Sequence, residues 1–254
     1  MVGKTLSECW RCKEGQQKGH VSDTRNHKDL LLFSFQPPAA NIRILTNVDL
    51  KVYRSENPFA ALVLAHGAGA GQSSSFMIEA ARGFANRGVS TATFDFPYIT
   101  ARRKVPDRAP VLEQAWRDAI QAARAELVAL PLFIGGKSMG GRIATQVAAQ
   151  KNAGPFSGVL LLGYPLHPPG RPEQRRDAHL PDIVEPMLFV QGEKDAFGGT
   201  HEITELLPRL QHASVHEIPG GDHSFRAPGG KAKQQEIFEQ TLTVAAAWMR
   251  SRAG

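Results

Sequence analysis

Leu132-Phe133-Ile134-Gly135-Gly136-Lys137-Ser138-Met139-Gly140-Gly141-Arg142-Ile143-Ala144 joins an apolar run to an amphipathic stretch through a serine set between glycines. Its centre, Gly136 to Gly140, reads G-x-S-x-G. Ile143, Ala144, Val147 and Ala148 recur at helical spacing after it, so the segment predicts a strand, a sharp turn and a helix. Small neighbours let the backbone reverse without clashes and lift the serine hydroxyl above the strand end. The first N–H groups of the helix then face any negative charge that develops there. Ser138 is the candidate nucleophile.

Apolar runs and helical periodicities alternate on both sides of this turn. Strands are expected over 61–65, 90–96, 132–135, 158–162, 186–190 and 213–218. Helices are expected over 74–87, 111–130, from Ser138 onward, and over 200–207 and 233–249, with Gly88 and Pro131 as stops. Upstream, the β-like runs 42–45 and 50–53 flank Thr46-Asn47 and suit an antiparallel edge. Buried strands separated by amphipathic helices predict an α/β fold with a mostly parallel sheet covered on both faces. Its crossovers are expected to be right-handed, and active sites in such sheets gather at the carboxyl ends of the strands. The polar segment 1–29 reads as a loosely ordered extension and 30–254 as one domain.

A formal net charge of +6 is spread along the chain without a basic tract interleaved with aromatics, so nucleic acid is not an expected partner. No apolar run is long enough to cross a bilayer, and 1–29 lacks the apolar core of a secretory signal; no membrane association and a cytoplasmic location are expected. The two cysteines, Cys9 and Cys12, with His20 and His27 beyond them, fit common zinc spacings poorly. No metal and no cofactor are expected. The glycine-rich His66-Gly67-Ala68-Gly69-Ala70-Gly71 lacks the dinucleotide G-x-G-x-x-G and the lysine–hydroxyl pair of a P-loop.

A serine hydroxyl needs an adjacent base. Among nine histidines, His223 in Gly220-Gly221-Asp222-His223-Ser224-Phe225 follows the last expected strand and is the candidate base; His167 is its competitor. Asp195, in Gln191-Gly192-Glu193-Lys194-Asp195, follows the preceding strand and is the candidate acid, ahead of Glu193 and Asp222. A carboxylate there fixes the histidine tautomer and stabilises the imidazolium. The oxyanion donors are expected at the backbone N–H groups of Met139 and Ala68. Tyr98, Arg102, Tyr164 and Arg175 are candidate substrate contacts. Arg102, Arg103 and Lys104 in one loop, and Arg171, Arg175 and Arg176 in another, have two readings: solvated charge, or attraction of an anionic substrate.

His66-Gly67-Ala68-Gly69, Phe94-Asp95-Phe96-Pro97-Tyr98, Gly135 to Arg142, Gly163-Tyr164-Pro165-Leu166 and Gly192-Glu193-Lys194-Asp195 resemble the small α/β-hydrolases related to dienelactone hydrolase. The resemblance runs from about Leu45 to the C-terminus. It implies the α/β-hydrolase fold and a Ser–Asp–His hydrolase; the expected partner is a small acyl substrate. Dienelactone hydrolase itself uses cysteine, so lactone opening does not carry over to Ser138. The connection from Gly163 to Pro181 is too short for a large helical cap, which implies a shallow, open pocket. Two functions follow: a serine hydrolase cleaving an ester or thioester through an acyl-enzyme, or a non-catalytic protein-interaction module on the same scaffold.

Overall fold

The computed structural model describes residues 48–150 and 154–254. Within them the expected alternation is present as β1 (Lys51–Tyr53), β2 (Ala60–Ala65), α1 (Ser75–Ala85), β3 (Val89–Phe94), α2 (Pro97–Thr100), α3 (Ala109–Glu126), β4 (Leu132–Lys137), α4 (Met139–Ala148), β5 (Gly158–Leu162), β6 (Met187–Gly192), α5 (Thr200–Thr204), β7 (Ala213–Ile218) and α6 (Gly230–Arg250). The strands form one sheet in the order β1-β3-β2-β4-β5-β6-β7. Only β1 runs antiparallel, against β3; every other pairing is parallel.

Side chains alternate across a strand, so a strand with no polar position must be covered on both faces. In β2, Leu62 and Leu64 point into one layer and Ala61, Val63 and Ala65 into the other. The first layer is closed by Met77, Ala80 and Phe84 of α1 and by Leu242 and Ala245 of α6. Trp116 and Ile120 of α3 and Ile143 and Val147 of α4 close the second. Each fully buried side chain of this size contributes roughly 1.5–3 kcal/mol of transfer free energy, which holds the sheet as a rigid platform.

Several boundaries differ from the sequence reading for local reasons. The strand expected over 90–96 ends at Phe94, because Pro97 opens α2 and holds Phe96 extended as its cap. The second long helix begins at Ala109, since Pro110 occupies the first turn, where no N–H is needed. The helix expected over 200–207 stops at Thr204, and a 3₁₀ turn at Leu207–Arg209 containing Pro208 follows. The closing helix starts at Gly230, three residues early. The run 42–45, the Thr46-Asn47 turn, the 29/30 boundary and the Cys9, Cys12, His20 and His27 group lie outside the described residues. Among the described residues no helix is long and apolar enough to cross a membrane.

Parallel pairing places the loops after β2, β4, β6 and β7 at one edge of the sheet. Those loops carry Ala68, Ser138, Asp195 and His223.

Candidate active site

Ser138 caps α4 with φ 50° and ψ −118°, a conformation rarely adopted by a residue with a Cβ. Its surroundings hold it there. The Ser138 N–H donates to the Leu162 carbonyl at 3.0 Å, and the flanking glycines allow close backbone approach. A Cβ on Gly136 would lie 2.7 Å from the Ala65 carbonyl oxygen, and one on Gly140 only 2.6 Å from the carbonyl oxygens of both Ala65 and His66. The glycines therefore let β4, α4 and the end of β2 meet at the serine.

A chain of hydrogen bonds leads away from the hydroxyl. Ser138 Oγ lies 2.8 Å from His223 Nε2, and His223 Nδ1 lies 2.8 Å from Asp195 Oδ2. A neutral His223 that donates from Nδ1 and accepts at Nε2 satisfies both contacts. The buried Asp195 carboxylate also accepts from the Phe197 N–H at 2.8 Å and from Gln191 Nε2 at 2.9 Å. Gln191 is buried as well, and its Oε1 accepts from the Tyr164 N–H, so the carboxylate is held by a side chain locked in turn. Phe197 lies against the imidazole, ring centroids 4.3 Å apart, and shields one face of it. The rivals are engaged elsewhere. Asp222 accepts from the N–H groups of Ser224 and Arg226, Glu193 accepts from Gly220, and His167 lies against Glu202 at 3.1 Å.

The loop after β2 is set from below by His66, which is fully buried. Its Nδ1 donates to the Gly67 carbonyl at 2.8 Å and its Nε2 accepts from the Phe96 N–H at 3.2 Å. Burial lowers the proton affinity of this imidazole, consistent with the neutral ring those bonds require. Ala68 and Met139 both line the cleft beside Ser138. Among the described residues neither N–H donates to another group, which leaves both available to an oxyanion. Tyr98 does not reach the cleft, contrary to expectation. It is buried, and its hydroxyl accepts from the Gly69 N–H at 3.3 Å, so it supports the glycine-rich loop from behind.

The cleft over Ser138 has a volume of about 610 Å³ and an apolar wall that includes Phe76, Met77, Pro165 and Phe197. Three further expected contacts are corrected. Tyr164 is buried, with its hydroxyl donating to the Arg176 carbonyl at 2.6 Å. Arg175 turns to Asp177 at 3.0 Å. Arg102 is exposed and does not line the cleft. The two aromatic rings at the strand ends pack inward, while Arg175 meets a carboxylate and Arg102 stays exposed.

Lys137 stands directly before the serine and is a further part of the arrangement. Its ammonium donates to the His223 carbonyl at 2.6 Å and lies 5.0 Å from the Phe225 ring centre, tying the histidine loop to β4. Burial lowers its pKa to about 8, against the opposing pull of Asp195 and Asp222. Between about pH 8 and 10.5 the unfolded chain holds a proton here that the folded one has released. Folding stability therefore rises with pH across that window relative to Lys137→Met. Urea unfolding of both proteins at pH 7 and pH 10 checks this; an unchanged difference between them would mean that Lys137 titrates normally.

The sheet order, the strained serine turn and the loop placement define an α/β-hydrolase fold. The sequence matches the alpha/beta hydrolase domain family over residues 58–250, and the chain belongs to that family. Solved structures with the same fold include dienelactone hydrolase from Anabaena variabilis, 19% identical with a TM-score of 0.64, covering 81% of this chain and 92% of that one. The esterase domain of a Rhodothermus marinus protein is 16% identical with a TM-score of 0.60 over 82% of this chain and 93% of that one. An alpha-beta serine hydrolase homologue from Coxiella burnetii is 13% identical, TM-score 0.60, over 80% and 90%. At these identities the likeness is one of fold.

Proposed function

We propose that the protein is a serine hydrolase that cleaves an ester or thioester. The observation that carries this reading is the unbroken Ser138–His223–Asp195 hydrogen-bond chain, 2.8 Å at each link, at the mouth of an open cleft. Ser138 Oγ attacks the acyl carbon while His223 Nε2 takes the hydroxyl proton, and the carbonyl oxygen gains charge facing the Ala68 and Met139 N–H groups. The carbon–oxygen or carbon–sulfur bond breaks, and His223 returns the proton to the departing alcohol or thiol. Water, deprotonated by the same nitrogen, cleaves the acyl-serine and restores the hydroxyl. Asp195 keeps the ring in the tautomer that accepts from serine. The esterase and serine hydrolase names of fold relatives agree with this chemistry.

A panel of aryl esters and acyl thioesters, assayed with the wild type and Ser138→Ala, tests the reading. Turnover of at least one class, lost in the variant, is expected. Equal rates in both proteins would contradict it.

A further inference from the structure

Three arginines line the cleft with Ser138 and His223: Arg142, Arg176 and Arg226. Among the described residues, Arg54, Arg87, Arg103, Arg117, Arg175 and Arg209 all lie within ion-pair distance of a carboxylate. The three cleft arginines do not, and what sets them apart from the other arginines without a carboxylate, such as Arg82 and Arg250, is that they line the cleft that holds Ser138.

Two of them belong to a built site. Arg142 lies in the first turn of α4, whose cap is Ser138, and it lines the same cleft as the nucleophile. Its Nε is buried with no hydrogen-bond partner. Burial and the nearby Arg176 charge both weaken its hold on its proton. Glu113 is the acidic group within electrostatic reach, but it already accepts from Gln150 at 2.8 Å and lies 4.0 Å from Arg117. Arg176 is held by its backbone. Its N–H donates to the Leu166 carbonyl at 2.8 Å, and its own carbonyl accepts from the buried Tyr164 hydroxyl at 2.6 Å. Two cations that line one cleft repel each other unless an anion lies between them.

We propose that Arg142 and Arg176 form a clamp for a carboxylate on the acyl group of the substrate, a short distance from the carbon that Ser138 attacks. The inference rests on the serine hydrolase reading. A guanidinium presents its donors as a planar fork that matches a carboxylate. Because both arginines share the cleft with Ser138, the arrangement suits half-esters and half-thioesters of short dicarboxylic acids, with the linking methylenes against Met77 and Pro165. The clamp also assigns a purpose to buried Tyr164, which positions Arg176 without touching substrate.

Monophenyl glutarate and phenyl valerate have the same acyl length and differ in the terminal carboxylate. Their kcat/KM values, corrected for spontaneous hydrolysis, are to be compared in the wild type, Arg142→Gln, Arg176→Gln and the distant control Arg54→Gln. The wild type should favour the glutarate ester by tenfold or more. Each clamp variant should reduce that preference about tenfold, as loss of a charged hydrogen bond implies, and the control should keep it. Equal use of both esters by the wild type, or equal losses on both in the variants, overturns the clamp. Failure of the wild type to cleave either ester counts against the hydrolase reading instead. Calorimetric titration of free glutarate then decides the clamp separately: binding lost in Arg142→Gln supports it, and no binding to the wild type overturns it.

Discussion

Ser138→Ala, His223→Ala and Asp195→Asn are each expected to lower turnover by about three orders of magnitude or more, and combining them should add little. The non-additivity follows from the hydrogen-bond chain, since a nucleophile without its base, or a base in the wrong tautomer, is already disabled. Asp195→Asn is the informative member of the set. Asp195 Oδ2 meets two donors, His223 Nδ1–H and Gln191 Nε2–H, and Oδ1 meets the Phe197 N–H. An amide NH₂ in the Oδ2 position faces donors with a donor, and the imidazole must turn its unprotonated nitrogen toward it. Nε2 then carries the proton and cannot accept from Ser138. Steady-state assays of the three single variants and the triple variant check this; near-normal turnover in His223→Ala would remove the base from the account.

Gly140→Val is expected to remove both activity and much of the stability. Even the first carbon of a side chain there would sit 2.6 Å from the Ala65 and His66 carbonyl oxygens, and 2.8 Å from the Ala65 carbonyl carbon. These are backbone atoms at the end of β2, so the contact is relieved only if α4 or the oxyanion loop moves. Overpacking of this kind typically costs about 1–3 kcal/mol, and the valine methyls add to it. Movement of α4 also shifts the Met139 N–H away from the serine. Thermal unfolding and turnover measured together test the claim. A variant that keeps its unfolding midpoint and its rate would show that the tight approach at Gly140 is not required.

Much of this arrangement was legible in the chain because the chemistry sits where elements change. Ser138 lies between a strand and a helix, Asp195 follows β6 and His223 follows β7, and each junction carries glycines that mark it. The parts that were not legible depend on which way a side chain points. Tyr98 and Tyr164 stand at strand ends, yet both rings pack into the core and spend their hydroxyls on the backbone of Gly69 and Arg176. Arg142 was visible in the serine motif, but its place in the wall of the same cleft emerges only from the fold. Gln191 belongs to a strand and reads as an ordinary interior residue until β6 brings its amide to Asp195 and Tyr164. Loop charge was hardest to judge. Of the six basic residues in the two expected loops, only Arg176 lines the cleft.

The central claim is that Ser138 is a nucleophile activated by His223. Fluorophosphonate labelling of the full-length protein, with the modified peptide located by mass spectrometry, tests it most directly. One adduct per chain on Ser138 is predicted, abolished in Ser138→Ala and slowed at least a hundredfold in His223→Ala. An unlabelled Ser138 in folded protein, the result expected of an interaction module built on this scaffold, would contradict it.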